Sequence, residues 1–121
     1  MYEIHIFTSV DSANTRKSKK TYQYRLTWKK EVREGTGEIE GTLHEATLQA
    51  LVEAMRRINQ SCKIHIHSGD RYVLNMIDSQ LDRWAGNGFR TAKGEPVQSK
   101  GLWEELWRLT KGQLIIAEKG E

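Results

Sequence analysis

Cysteine occurs once in this 121-residue chain, at Cys62, so no internal disulfide and no cysteine-based zinc knuckle can form. Long apolar runs are missing too: nothing approaches the ~18 residues of a membrane-spanning helix, and no membrane role is expected. The stretch from Met1 to Phe7 is short, alternates in polarity and carries Glu3 and His5, which fits neither a signal peptide nor a span. Proline is equally scarce, with Pro96 alone, and no repeat or low-complexity segment is visible. Together these absences make the cytoplasm the expected compartment. What remains is ordinary for a folded protein. Hydrophobic content is 37% and charged content 29%, enough for one core and a single domain spanning 1–121.

Charge is unevenly placed around a net +3. Arg16, Lys17, Lys19, Lys20, Arg25, Lys29, Lys30 and Arg33 fall in one segment with Glu31 as its only acid. Such a stripe suits a phosphate backbone. It equally suits a solvated hairpin whose lysines guard an edge strand.

Period-two alternation predicts strands over Tyr2–Thr8 and Tyr22–Trp28, with a polar loop from Ser9 to Lys20 between them. A third, weaker strand is expected over Gly37–Gly41, paired to the second across a turn at Glu34–Gly37. Thr42 to Ile58 is the clearest helix, with Leu43, Thr47, Leu48, Leu51, Ala54, Met55 and Ile58 on one stripe. Thr42 and Glu45 are spaced as a capping box. A fourth strand follows at Lys63–His67. A helix then starts near Asp70 and carries Tyr72, Val73, Met76, Ile77 and Leu81. Gly86 to Lys100 is a basic excursion, Leu102–Leu109 a short helix and Leu114–Ala117 the last strand. This order implies an α/β fold: a mixed five-stranded sheet, antiparallel at its opening hairpin and parallel elsewhere, with helices on its faces.

Several motifs within this order resemble the ribonuclease H family. Ile6-Phe7-Thr8 resembles the strand that leads into the family's first catalytic Asp. Ala50, Leu51, Glu53 and Ala54 resemble its central helix, and Arg71-Tyr72-Val73 the start of the next. Gly88-Phe89-Arg90-Thr91-Ala92, Pro96-Val97 and Leu102-Trp103 resemble the basic excursion and the helix after it. From Tyr72 to Trp103 the spacing needs no gap against the common bacterial pattern.

The resemblance implies hydrolysis of the RNA strand of RNA–DNA hybrids by two magnesium ions on an Asp-Glu-Asp-Asp set. Carboxylates are required because magnesium prefers hard oxygen ligands, and paired ions stabilise the attacking and leaving oxygens. Here the first Asp falls on Ser9, the Glu on His44 and the second Asp on Gly69. The fourth acid is expected beyond Glu121, which reads as a shortened member of the family.

Asp11, Glu45 and Asp70 lie one or two positions away and form the alternative triad. Spacing speaks against them. Ser9 to Asp11 is roughly 6.6 Å along a strand, and His44 to Glu45 is about 100° around a helix. Magnesium ligands sit near ~2.1 Å from the ion. Glu45 also completes the capping box, and Asp70 stands where a helix N-cap is wanted.

Substrate contacts are altered as well. The family's Gly-rich turn after the first strand is replaced by residues 12–20, its phosphate-contacting Asn by Ser99, and a substrate-touching Gln by Arg71. Arg90, Lys93 and Lys100 retain the excursion's basic character. Trp84 and Phe89 flank it, where aromatic rings would stack on bases; the plain alternative is that they are core. Among the histidines, His5, His44 and His67 are candidates for a transition-metal site near the vacated pocket. The plain alternative is hydrogen-bonded polar residues at a sheet end.

The expected function is therefore a ribonuclease H-like domain that has lost magnesium-dependent cleavage and binds nucleic acid weakly, such as an RNA–DNA hybrid, or serves as an interaction module. Its contact residues would be Arg16, Lys17, Lys19, Lys20, Arg71, Trp84, Phe89, Arg90, Lys93, Ser99 and Lys100. No resident cofactor is expected on that reading. An active Mg2+-dependent hybrid endoribonuclease using Asp11, Glu45 and Asp70 is the enzyme alternative. A protein–protein interaction domain with an unknown protein partner is the third.

Overall fold

The computed structural model describes residues 2–118. Alternation organises its first element: β1 (Tyr2–Val10) buries Ile4, Ile6 and Thr8 and turns Glu3, His5, Phe7 and Ser9 to the other face. β2 (Ser18–Trp28) buries Lys20, Tyr22, Tyr24 and Leu26 and pairs antiparallel with β1 and with β3 (Glu31–Gly41). After α1 (Leu43–Met55), β4 (Cys62–Ser68) runs parallel to β1. α2 (Arg71–Ser79), α3 (Leu81–Asn87) and α4 (Lys100–Thr110) then lead to β5 (Leu114–Glu118), parallel to β4. Sheet order is β3-β2-β1-β4-β5, the mixed α/β arrangement expected from the sequence.

One face of this sheet carries the core. Ile4 and Ile6 of β1, Ile64 and Ile66 of β4, and the β2 tyrosines meet Leu48, Leu51, Val52 and Met55 of α1. Trp103 and Leu106 of α4 close it from outside. Full burial of one such aliphatic side chain contributes about 1.5–3 kcal/mol. On the opposite face the odd-numbered residues of β1 and β4 are half-buried or exposed.

Four boundaries differ from expectation. β1 runs on to Val10 and takes Ser9 into the strand, which shortens the polar loop. The hairpin turns at Lys29-Lys30, with Lys29 at φ 54°, rather than at Glu34–Gly37. Gly35 and Gly37 sit inside β3 opposite Tyr24 and Tyr22. A Cβ on Gly35 would overlap the Tyr24 ring, and one on Gly37 the Tyr22 phenol. These glycines make room for aromatic rings across the strand; they do not turn the chain. Finally, α1 stops at Met55, and the helix expected from Asp70 breaks at Gln80 into α2 and α3.

Candidate functional site

β1 and β4 are neighbours in parallel register, Thr8 opposite Ser68, so Ser9 and Gly69 emerge side by side at their C-terminal ends. α1 begins above them because Thr42 caps it. Glu45 N donates to Thr42 Oγ1 over 3.1 Å, and Thr42 N donates to Glu45 Oε1 over 2.9 Å. That start places His44 in the first turn, over the same strand ends. A recess of about 230 Å³ lies here, lined by Thr8, Ser9, Leu43, Thr47, Ser68, Gly69 and Asp70 among others. Thr8 Oγ1 is buried in its wall without a hydrogen-bond partner.

His44 Nδ1 lies 2.8 Å from Asp70 Oδ2. A carboxylate only accepts, so His44 donates from Nδ1. The other oxygen, Asp70 Oδ1, accepts from Val73 N at 3.2 Å and caps α2. Asp70 N in turn donates to Ser68 Oγ at 3.1 Å. Asp70 is 5% exposed, and the Tyr72 ring covers His44 with centroids 4.4 Å apart. The capping role read from the sequence is thus present for Glu45 and for Asp70. The histidine partner of Asp70 was not anticipated.

Asp11 is tied down as well. Its Oδ1 accepts from Thr21 N at 3.1 Å and its own N donates to Thr21 O at 3.0 Å, closing the loop after β1. Asp11, Glu45 and Asp70 therefore each hold backbone. They form no metal-capable group of three among the described residues. At the positions where the resemblance puts magnesium ligands, the side chains are a hydroxyl, an imidazole and a hydrogen. Two hard, oxygen-seeking ions do not fit this donor set.

The histidines separate into two places. His5 Nδ1 lies 2.9 Å from His67 Nε2 on the face away from α1, whereas His44 pairs with Asp70 on the helix side. The set His5, His44 and His67 is therefore not assembled. Instead, His5 stacks on His65, which lies between Glu118 and Glu3 at 2.6 and 2.8 Å. Hydrogen bonds to Glu118 and then Glu3 hold the His65 imidazole above its usual pKa. Burial, with His5 beside it, pushes His67 down. Parity along β1 and β4 would have brought Glu3 and His65 together, had Glu3 been read with the histidines.

Of the expected nucleic-acid contacts, Arg16, Lys17, Lys19, Arg71, Arg90 and Lys93 are exposed, and Ser99 and Lys100 half-buried. Three are not available. Lys20 is fully buried, in parity with Tyr22 and Tyr24, and its Nζ donates to Arg16 O at 2.8 Å and Ser18 Oγ at 2.7 Å. Its ammonium fastens the loop rather than facing solvent. Trp84 and Phe89, 9% and 5% exposed, are core. Trp84 packs edge-on against Trp103 at 5.1 Å, so neither ring offers a stacking platform.

The RNase H family profile matches residues 3–119. This chain belongs to the ribonuclease H family. It is 33% identical over 79 residues to a ribonuclease HI of Xylella fastidiosa (strain Temecula1), covering 65% of this chain and 53% of that one. It is 37% identical over 84 residues to a ribonuclease H of Clostridium botulinum (strain Hall), covering 69% and 55%. The chain thus spans about half the length of these curated relatives. In fold it resembles LC9-RNase H1, described as a type 1 RNase H with the type 2 active-site motif. The TM-score is 0.78 at 14% identity, covering 97% of this chain and 62% of that one. A foamy viral protease–reverse transcriptase in complex with RNA/DNA hybrid gives 0.69 at 19% identity, covering 97% of this chain and 17% of that one. At these identities the structural likeness speaks for the ribonuclease H fold alone.

Proposed function

We propose that this ribonuclease H-family domain binds nucleic acid through its phosphate backbone and has given up two-metal cleavage of RNA–DNA hybrids. The observation that carries this reading is the hydrogen bond between His44 and Asp70. It engages Asp70, the one carboxylate among the described residues that line the recess, with a histidine and a helix cap. Glycine stands at position 69 and serine at position 9.

Binding would rest on point charges. Arg71 opens α2 beside the recess; Arg16, Lys17 and Lys19 lie on and beside the loop before β2; and Arg90 and Lys93 stand on the excursion. Arg90 is steadied by donating Nη1 to Gly94 O at 2.9 Å. Such contacts release counterions, so affinity falls steeply with salt and reads little sequence. No cofactor is required at this site.

The test is incubation of the chain with a labelled RNA–DNA hybrid and Mg2+ or Mn2+, alongside binding over a salt series. The expected result is an intact hybrid with salt-sensitive binding. Since the relatives are named ribonucleases H, the rival outcome is hybrid cleavage that disappears in Asp70→Asn, and it would overturn the proposal. Absence of binding at low salt would instead favour a protein-interaction module.

A further inference from the structure

Glu3 and His5 stand on β1, and His65 lies directly opposite His5 on β4. One ligand-capable atom from each comes within 4.8 Å of the other two, and among the described residues no other such group of three occurs. We propose that Glu3, His5 and His65 form a binding site for a borderline transition cation such as Zn2+, on the sheet face turned away from α1.

The donor set is two imidazoles and one carboxylate, a mixture that suits zinc, copper or nickel and not magnesium. Both rings already have their Nδ1 occupied. His65 Nδ1 is 2.6 Å from Glu118 Oε2, and His5 Nδ1 is 2.9 Å from His67 Nε2. His5 is therefore left with Nε2 for an ion, while His65 Nε2 already faces Glu3 Oε1 at 2.8 Å and would exchange its proton for the ion. The Glu118 contact supplies the outer carboxylate that commonly orients a metal-bound histidine. Two nearby carboxylates, Glu3 and Glu118, also balance a divalent charge.

Little movement is needed. Ligand atoms on a tetrahedral zinc stand roughly 3.3 Å apart, given bonds near 2.0–2.2 Å. Glu3 Oε1 and His65 Nε2 are 2.8 Å apart, with an ion taking the place of the proton between them. The His5 ring lies parallel to His65 at 4.4 Å and must rotate to aim its nitrogen at a shared ion. It is half-buried on an open face, so rotation meets no core packing. Three protein ligands leave the fourth position to water. The site is independent of the nucleic-acid reading, because Ser9 lies roughly 13 Å beyond His5 and roughly 20 Å beyond Glu3 along β1 and His44 is on the other face.

Calorimetric titration of the full chain with Zn2+, after chelator treatment and dialysis, tests this. One ion per chain is expected, in the micromolar range or tighter, with excess Mg2+ failing to compete. Glu3→Gln and His5→Gln each weaken binding at least about tenfold, Glu118→Gln by a similar factor, and His44→Ala leaves it unchanged. Glu3 is exposed, so its variant folds whatever its effect on the ion, and circular dichroism checks all four. Wild-type protein that takes up no zinc below millimolar concentration would overturn the site. So would Glu3→Gln and His5→Gln variants that bind as tightly as the parent.

Discussion

Asp70 serves two elements at once: one carboxylate oxygen holds His44 of α1 at 2.8 Å, the other caps α2 through Val73 N at 3.2 Å. The His44 side chain is 31% exposed and that of Asp70 2%, so the pair reaches solvent only through the imidazole. It fastens the first turn of α1 to that of α2 beside the end of β4, where Asp70 N donates to Ser68 Oγ.

Removing Asp70 should therefore cost more than a cap. Asp70→Ala is expected to destabilise by about 2–3 kcal/mol, adding an N-cap loss of about 0.5–2 to a broken buried hydrogen bond. Asp70→Asn, which can still accept from Val73 N, should cost less. Urea unfolding of Asp70→Ala, His44→Ala and the double variant checks the coupling, expected at about 0.5–3 kcal/mol for contacting residues. Additive single effects would mean that the two side chains do not support each other.

If the donor set is what prevents magnesium binding, supplying carboxylates should restore it. A Cβ on Gly69 meets nothing within 4 Å, so Gly69→Asp is accommodated without a clash. Ser9→Asp and His44→Glu complete the set, and Asp70→Ser keeps a capping oxygen while removing a like charge from the new Glu. Mg2+ at tenfold its Kd should then stabilise this variant by about 1.4 kcal/mol and raise its Tm, leaving the parent unaffected. Equal Mg2+ responses in both would show that the substituted positions do not converge on an ion.

Lysines adjacent in sequence should behave differently. Lys17 and Lys19 are exposed, and the Lys19–Glu38 pair at 3.6 Å is solvated on both sides, so neither alanine variant should alter Tm appreciably. Each should flatten the salt dependence of nucleic-acid binding by about one counterion. Lys20→Ala should instead lower stability by about 1–3 kcal/mol, since it frees Arg16 O and Ser18 Oγ beneath the loop. A stable Lys20→Ala protein with weakened hybrid binding would contradict the burial of this side chain.

Lys20 also shows where local reading fails. Its parity with Tyr22 and Tyr24 was visible, but charge argued for solvent. Only the backbone carbonyl and hydroxyl that receive its ammonium reverse the balance, and those come from the folded loop. Gly35 and Gly37 failed similarly: glycine ordinarily marks a turn, and the tyrosine rings that need the space belong to another strand. Trp84 and Phe89 lie beside basic residues in sequence but are packed into the core. By contrast, the Thr42–Glu45 box, the Asp70 cap and the succession of strands and helices along the chain depend on neighbours a few residues away or on alternation, and these were legible. The His44–Asp70 contact bridges 26 residues and exists only once α1 packs beside the start of α2.

Tyr22 gives the fold an alkaline limit. Its hydroxyl donates to Glu53 Oε2 at 2.5 Å, an oxygen that also accepts from Gln49 Nε2 at 2.8 Å. Burial first, and then the bond to Glu53, raise the phenol from 10.0 to about 12. A raised folded pKa means that the native state holds this proton more tightly than the unfolded chain. The stabilisation is complete below pH ~10 and drains away as pH climbs toward ~12. Tyr22→Phe should be less stable near neutrality by about 1–2 kcal/mol, through the lost bond to a charged acceptor. Above pH ~10 the gap should narrow, because the variant has no phenol to ionise there. The informative quantity is the difference between the two proteins by urea unfolding at several alkaline pH values. A constant difference would show that the Tyr22 proton is bound no more tightly in the folded chain than in the unfolded one.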